Sequence, residues 1–89
     1  MACTGGGSRF LGVVIALFYS DHNPPHFHAY YGDQEAAVAI ADGRLLWGTL
    51  PRRALGHVQE WRQAHMAELE ADWARARARE PLLPIEPLE

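Results

Sequence analysis

The chain contains no lysine and a single cysteine, and its longest apolar run is only Leu11 to Phe18. Each shortage excludes something. Cys3 alone cannot close an internal disulfide, so nothing points to an oxidising compartment and the cytoplasm is the expected setting. The apolar run is too short to span a bilayer, and no charged segment leads into a signal-like core. Neither export nor membrane insertion is expected. The basic side chains number 8, all arginine, against 11 acidic ones, a formal net charge of −3. That balance weighs against a general nucleic-acid binder, although Arg44, Arg52 and Arg53 form a basic island between acidic stretches. The want of lysine reads as genomic base-composition bias rather than as a design for binding phosphate.

What is present is enough for one folded unit. Eighty-nine residues, 48% apolar and 21% charged, fit a single domain with one modest core and lie outside the range of disordered chains. Residues 1–8, with Gly5-Gly6-Gly7, lack periodicity and read as a flexible leader. Residues 9–80 form the domain, and residues 81–89 a proline-rich tail.

The local patterns give an α+β fold, a small antiparallel meander of about four strands followed by a long C-terminal helix. RFLGVVIALFYS, from Arg9 to Ser20, is rich in β-branched and aromatic residues and reads as one buried strand. The turn Asn23-Pro24-Pro25 leads into a second, His26 to Tyr31, whose alternation puts His26, His28 and Tyr30 on one face and Phe27, Ala29 and Tyr31 on the other. Glu35 to Ile40 and Leu45 to Leu50 complete the meander, joined by the hairpin chemistry of Ala41-Asp42-Gly43. Pro51 suits a helix start, and the good helix formers run on to about Arg79. Leu55, Val58, Trp61, His65, Met66, Leu69 and Trp73 share one arc, the expected core stripe, with Glu60, Glu70 and most arginines opposite. Such a helix would measure roughly 43 Å, so it should either break near its middle or project. The prolines of EPLLPIEPLE preclude helix and leave Leu82, Leu83, Ile85 and Leu88 in need of cover, on the domain or on a partner.

His22, His26 and His28 are the strongest chemical signal. On a strand the α-carbons of His26 and His28 lie about 6.7 Å apart on one face, close enough for two imidazoles to converge on one ion. With His22 from across the turn, and a carboxylate from Asp21, Asp33 or Glu35, they could hold a divalent transition metal such as zinc or iron as cofactor. Without metal, two imidazoles can serve as acid and base at a phosphodiester, which in so small a protein suits RNA. The plainer reading makes them half-exposed strand and turn residues. A second constellation joins Arg52 and Arg53 to the free N–H groups of a helix start, with His57 one turn on, as a site for phosphate or for an acidic partner. Its plainer reading is a solvated first turn. His65, among Trp61, Leu69 and Trp73, reads as a hydrogen-bonded core histidine, and the tryptophans as core or interface.

From about Arg9 to Glu89 these features, DHNPPHFHAYYG, the acidic and aliphatic strand after it, LLWGTLPRRAL, and the helix with Trp61, His65, Leu69 and Trp73, resemble a small bacterial family catalogued as a domain of unknown function, number four-one-six-zero. Only the glycine-rich leader departs from its usual start. Members are commonly encoded beside a small partner protein, and some are named as the DhiT-type toxin of type II toxin–antitoxin pairs. The resemblance implies a toxin neutralised by direct contact with a cognate antitoxin. It carries function most securely onto Pro25, His26 and His28, less so onto Arg52, and supplies no reaction. The expected catalytic set is therefore His22, His26, His28 and Arg52, in a ribonuclease or metal-dependent hydrolase, with RNA as a further candidate partner and a homo-oligomer allowed. The rival is a non-catalytic metal- or protein-binding module that uses the same histidines.

Overall fold

The computed structural model describes residues 4–18 and 24–87. The described residues form five strands, β1 (Thr4–Phe10), β2 (Val13–Phe18), β3 (His26–Tyr31), β4 (Gln34–Ala39) and β5 (Leu45–Gly48), and then two helices, α1 (Arg52–Ala64) and α2 (Met66–Arg77). The strands pair in chain order, each antiparallel to the next.

Two expectations are corrected. The run from Arg9 to Ser20 is not one strand, because Leu11 and Gly12 both take positive φ, 50° and 80°. Phe10 pairs directly with Val13 across them. Two consecutive left-handed residues make the mirror-image hairpin turn whose twist suits antiparallel strands. The sheet thus gains a strand, and β1 takes up Thr4–Ser8, which composition alone placed in a leader. The second correction concerns the helix, which is not continuous. The described chain is 34 Å along its longest axis, less than the roughly 43 Å of an unbroken helix over the same stretch. The break falls at His65, with φ −128° and ψ 26°, where one backbone N–H donates to both Trp61 and Arg62 carbonyls at 3.1 Å.

Bending at His65 lets both helices cover one face of the sheet. Phe10, Val13, Ile15, Leu17, Phe27, Ala29, Ala36 and Val38 pack there against Ala54, Val58 and Trp61 of α1 and Leu69, Trp73 and Ala76 of α2. Trp61 is the centre of this core. It is fully buried, stacks on Phe10 at 5.5 Å and meets Phe27 edge-on at 5.7 Å. Its indole N–H donates to the Glu86 carbonyl at 2.8 Å. Residues 80–87 have no regular secondary structure and lie back on the domain, burying Leu82 and Ile85 while Leu83 stays exposed. Leu88 lies outside the described residues.

Two buried charges were not expected. Arg62, which a step of about 100° per residue places within the apolar arc between Val58 and Leu55, is buried, and its Nη1 donates to the Ile40 carbonyl at 2.9 Å. Its Nε donates to Gln59 Oε1, and the Gln59 amide donates to the Gly43 carbonyl. The pair thereby clamps the β4–β5 turn to α1. Asp72 is buried too, its Oδ1 accepting from Arg75 at 2.8 Å and from the Leu83 backbone N–H at 3.0 Å. It fastens the tail to α2.

Candidate functional site

Period-2 alternation along β3 sends Phe27 and Ala29 into the core and His26, His28 and Tyr30 to the other face. The cross-strand partners confirm that face, since Ala16 of β2 and Ala37 of β4 lie opposite His28, and Trp47 of β5 lies opposite Ala37. Small alanines on either side leave room for rings. Around His28 stand Phe18, edge-on at 4.8 Å, Trp47 at 5.6 Å, Tyr30 at 6.5 Å and His26 at 5.1 Å. His26 in turn lies 5.3 Å from Trp73 of α2, so the cluster reaches the helix at that end of β3. The two histidines are 6% and 8% exposed, walled by aromatic rings rather than laid out on a solvated strand.

The hydrogen bonds fix the tautomers. A carbonyl can only accept, so His26 Nδ1 donates to the Pro24 carbonyl at 2.7 Å. The neutral ring then carries its lone pair at Nε2. His28 Nδ1 faces Glu35 Oε2 at 3.3 Å, and an ionised carboxylate, likewise acceptor-only, selects the same tautomer. In the neutral form both imidazoles therefore carry their lone pair at Nε2.

Glu35 and Trp47 are placed by a backbone irregularity. The β4–β5 register shifts between Ala37 and Val38, and Gly48 has φ +76° with its would-be Cβ only 2.2 Å from the Glu35 carbonyl oxygen. Only glycine allows so close an approach. The Thr49 N–H donates to that same oxygen at 3.2 Å. The kink brings the end of β5 against Glu35 and seats Trp47 beside His28.

The sequence-derived site is thus assembled in part. His26 and His28 come together as alternation required. His22 and Asp21 lie outside the described residues. Among the described residues no group of three or more His, Cys, Asp or Glu side chains is placed to hold a metal ion. Arg52 and Arg53 are exposed on the first turn of α1, which has no side-chain cap and no acidic residue, and His57 is half-buried on the next turn. They belong to α1, whose Ala54, Val58 and Trp61 pack on the core face, whereas His26 and His28 lie on the other face of β3. His65 is not a core histidine. It is half-buried, bonded to the exposed Glu68 and 5.5 Å from the Trp61 ring. Trp47, which the sequence placed in core or interface, is half exposed beside His28. Its face follows from counting alternate residues across β4 and β5, but only with the register shift known. A cleft of about 240 Å³ lies elsewhere, between α2 and the tail, lined by Glu68, Asp72, Arg75 and Ile85 among others.

Among the described residues no helix is long and apolar enough to cross a membrane. No curated protein and no solved structure matches the chain. The family profile described as Domain of unknown function (DUF4160) matches residues 12–74, a span that contains the histidine strand, both flanking strands, β5 and most of the helical layer, and the chain belongs to that family.

Proposed function

We propose that the chain is the toxin-like member of a bacterial protein pair and that His26 and His28 form its acid–base site, with single-stranded RNA as the substrate that chemistry fits. The observation that carries this reading is the pair itself. Two imidazoles have ring centroids 5.1 Å apart, and their Nδ1 atoms are committed to the Pro24 carbonyl and to Glu35. One neutral Nε2 can accept the proton of a ribose 2′-hydroxyl as that oxygen attacks the adjacent phosphorus. The other imidazole, protonated, can donate its proton to the departing 5′-oxygen. The products are a 2′,3′-cyclic phosphate and a 5′-hydroxyl, so no metal or outside nucleophile is required. Arg52 and Arg53, exposed on the first turn of α1, suit contact with an acidic partner protein.

The burial of both rings favours a second reading, a non-catalytic module whose histidine face is covered by a protein or holds an ion through the two Nε2 atoms. Induction in cells separates the two. The toxin reading expects growth arrest, relieved by the neighbouring gene product and abolished by His26→Ala and His28→Ala in variants that remain folded, with cleavage of a single-stranded ribo-oligonucleotide by the purified wild type. A folded wild-type chain that is harmless at high expression leaves the binding module as the account.

A further inference from the structure

The histidine face of the sheet carries an exposed feature that acid–base chemistry does not use. Trp47 is 50% exposed, whereas Trp61 and Trp73 are buried. Glu35, whose carboxylate meets His28, has a side chain still 37% exposed. The two are diagonal neighbours, because Trp47 pairs with Ala37 and Glu35 precedes Ala37 by two on the same face. Diagonal positions lie about 7 Å apart and are bridged by long side chains. The surface therefore offers an indole face next to a carboxylate, with His28 as floor, on a chain of net charge −3.

We propose that this surface takes an arginine side chain presented by an extended segment of a partner polypeptide. The carboxylate of Glu35 beside the exposed ring favours a cationic group over a phosphate at that spot. A guanidinium fits on both counts: it stacks flat on tryptophan and offers paired N–H donors to a carboxylate. The route of presentation follows from the topology. Strand β5 is the last in the sheet, and an edge strand offers unpaired backbone groups to an incoming strand. A residue opposite Trp47 on such a strand would project on the histidine face, its side chain lying over the indole toward Glu35. Occupancy would close the face over His28. The proposal rests on the reading above only for the consequence that the partner masks the acid–base pair; the binding itself stands apart from it.

The test uses the full-length chain and a five-residue peptide carrying one arginine between valines, with its citrulline counterpart, which keeps the shape and loses the charge. Arginine-peptide binding should alter the emission of the exposed Trp47 and be about ten-fold tighter than that of the citrulline peptide. By calorimetry, Glu35→Gln and Trp47→Leu should each weaken it about five- to ten-fold in chains whose circular dichroism is unchanged. Equal affinity for the two peptides, or indifference to Glu35→Gln, overturns the proposal. So does a Trp47 response to an octauridylate ribo-oligonucleotide with none to the arginine peptide. Selective arginine binding in a chain that causes no growth arrest would support this inference while removing the toxin reading. Histidine-dependent arrest with no arginine preference would do the reverse.

Discussion

At the scale of single residues, the placements that organise the site are ones for which side-chain type is a poor guide. Arg62 is an arginine in a helix, and helices usually turn such residues to water, yet here it donates to the Ile40 carbonyl in a buried hydrogen bond and, at 3.4 Å, to the Ala41 carbonyl. Replacing it with alanine removes the donors and leaves those carbonyls unpaired, at a cost of about 1–3 kcal/mol. Urea denaturation of Arg62→Ala should show that loss with the slope unchanged. Gly48 is a second case. A Cβ there would overlap the Glu35 carbonyl oxygen at 2.2 Å, and φ is positive, so Gly48→Ala should displace β5 and move Trp47 from His28. The expected signature is a change in exposed-tryptophan emission together with a lowered melting temperature. An unaltered spectrum and stability would show that β5 does not depend on the close approach.

At the scale of elements, the turn between β1 and β2 holds Leu11 at φ 50°, a conformation that costs an ordinary side chain about 1 kcal/mol or more. Leu11 is also exposed, so its side chain contributes little in return. Leu11→Asn or Leu11→Gly should therefore leave the protein as stable or raise its stability by a few tenths of a kcal/mol up to about 1 kcal/mol, since both residues tolerate the left-handed region. Thermal unfolding of the two variants checks this, and a drop in both would mean that Leu11 packs usefully. The tail is the second element with a definite dependence. Asp72 Oδ1 holds the Leu83 N–H and the Arg75 guanidinium, so Asp72→Ala should cost about 1–3 kcal/mol and render the tail more open to proteolysis near Leu83.

At the scale of the whole molecule, sheet, helices and tail meet at Trp61. Its stacking on Phe10, its edge-on contact with Phe27 and its hydrogen bond to the Glu86 carbonyl join four segments of the chain. Trp61→Ala should cost about 3–5 kcal/mol, enough to unfold so small a domain under ordinary conditions. Removing residues 80–89 takes Leu82 and Ile85 out of the core and the Glu86 carbonyl from the Trp61 indole, and should lower the melting temperature while increasing binding of a hydrophobic dye. A truncated chain as stable as the parent would show that the core closes without the tail.

The sequence by itself determined what depends on neighbours along the chain. Alternation placed His26 and His28 on one face and Phe27 and Ala29 on the other, because successive strand residues must point to opposite sides. Helical periodicity located the stripe of Val58, Trp61, Leu69 and Trp73, and length alone required that helix to break or project. What only the tertiary structure decided depends on approaches between distant segments. The split of the first strand at Leu11 needed the pairing of Phe10 with Val13 to hold a leucine in the left-handed region. The burial of the Arg62 guanidinium needed the Ile40 carbonyl of the β4–β5 turn beneath it. Glu35 and Trp47 met His28 because a register shift between Ala37 and Val38 set which residues of β5 face the histidines, and the close approach of Gly48 held the end of β5 against Glu35. Local pattern specifies which way a side chain points, but the groups it meets are set by register and packing across the fold.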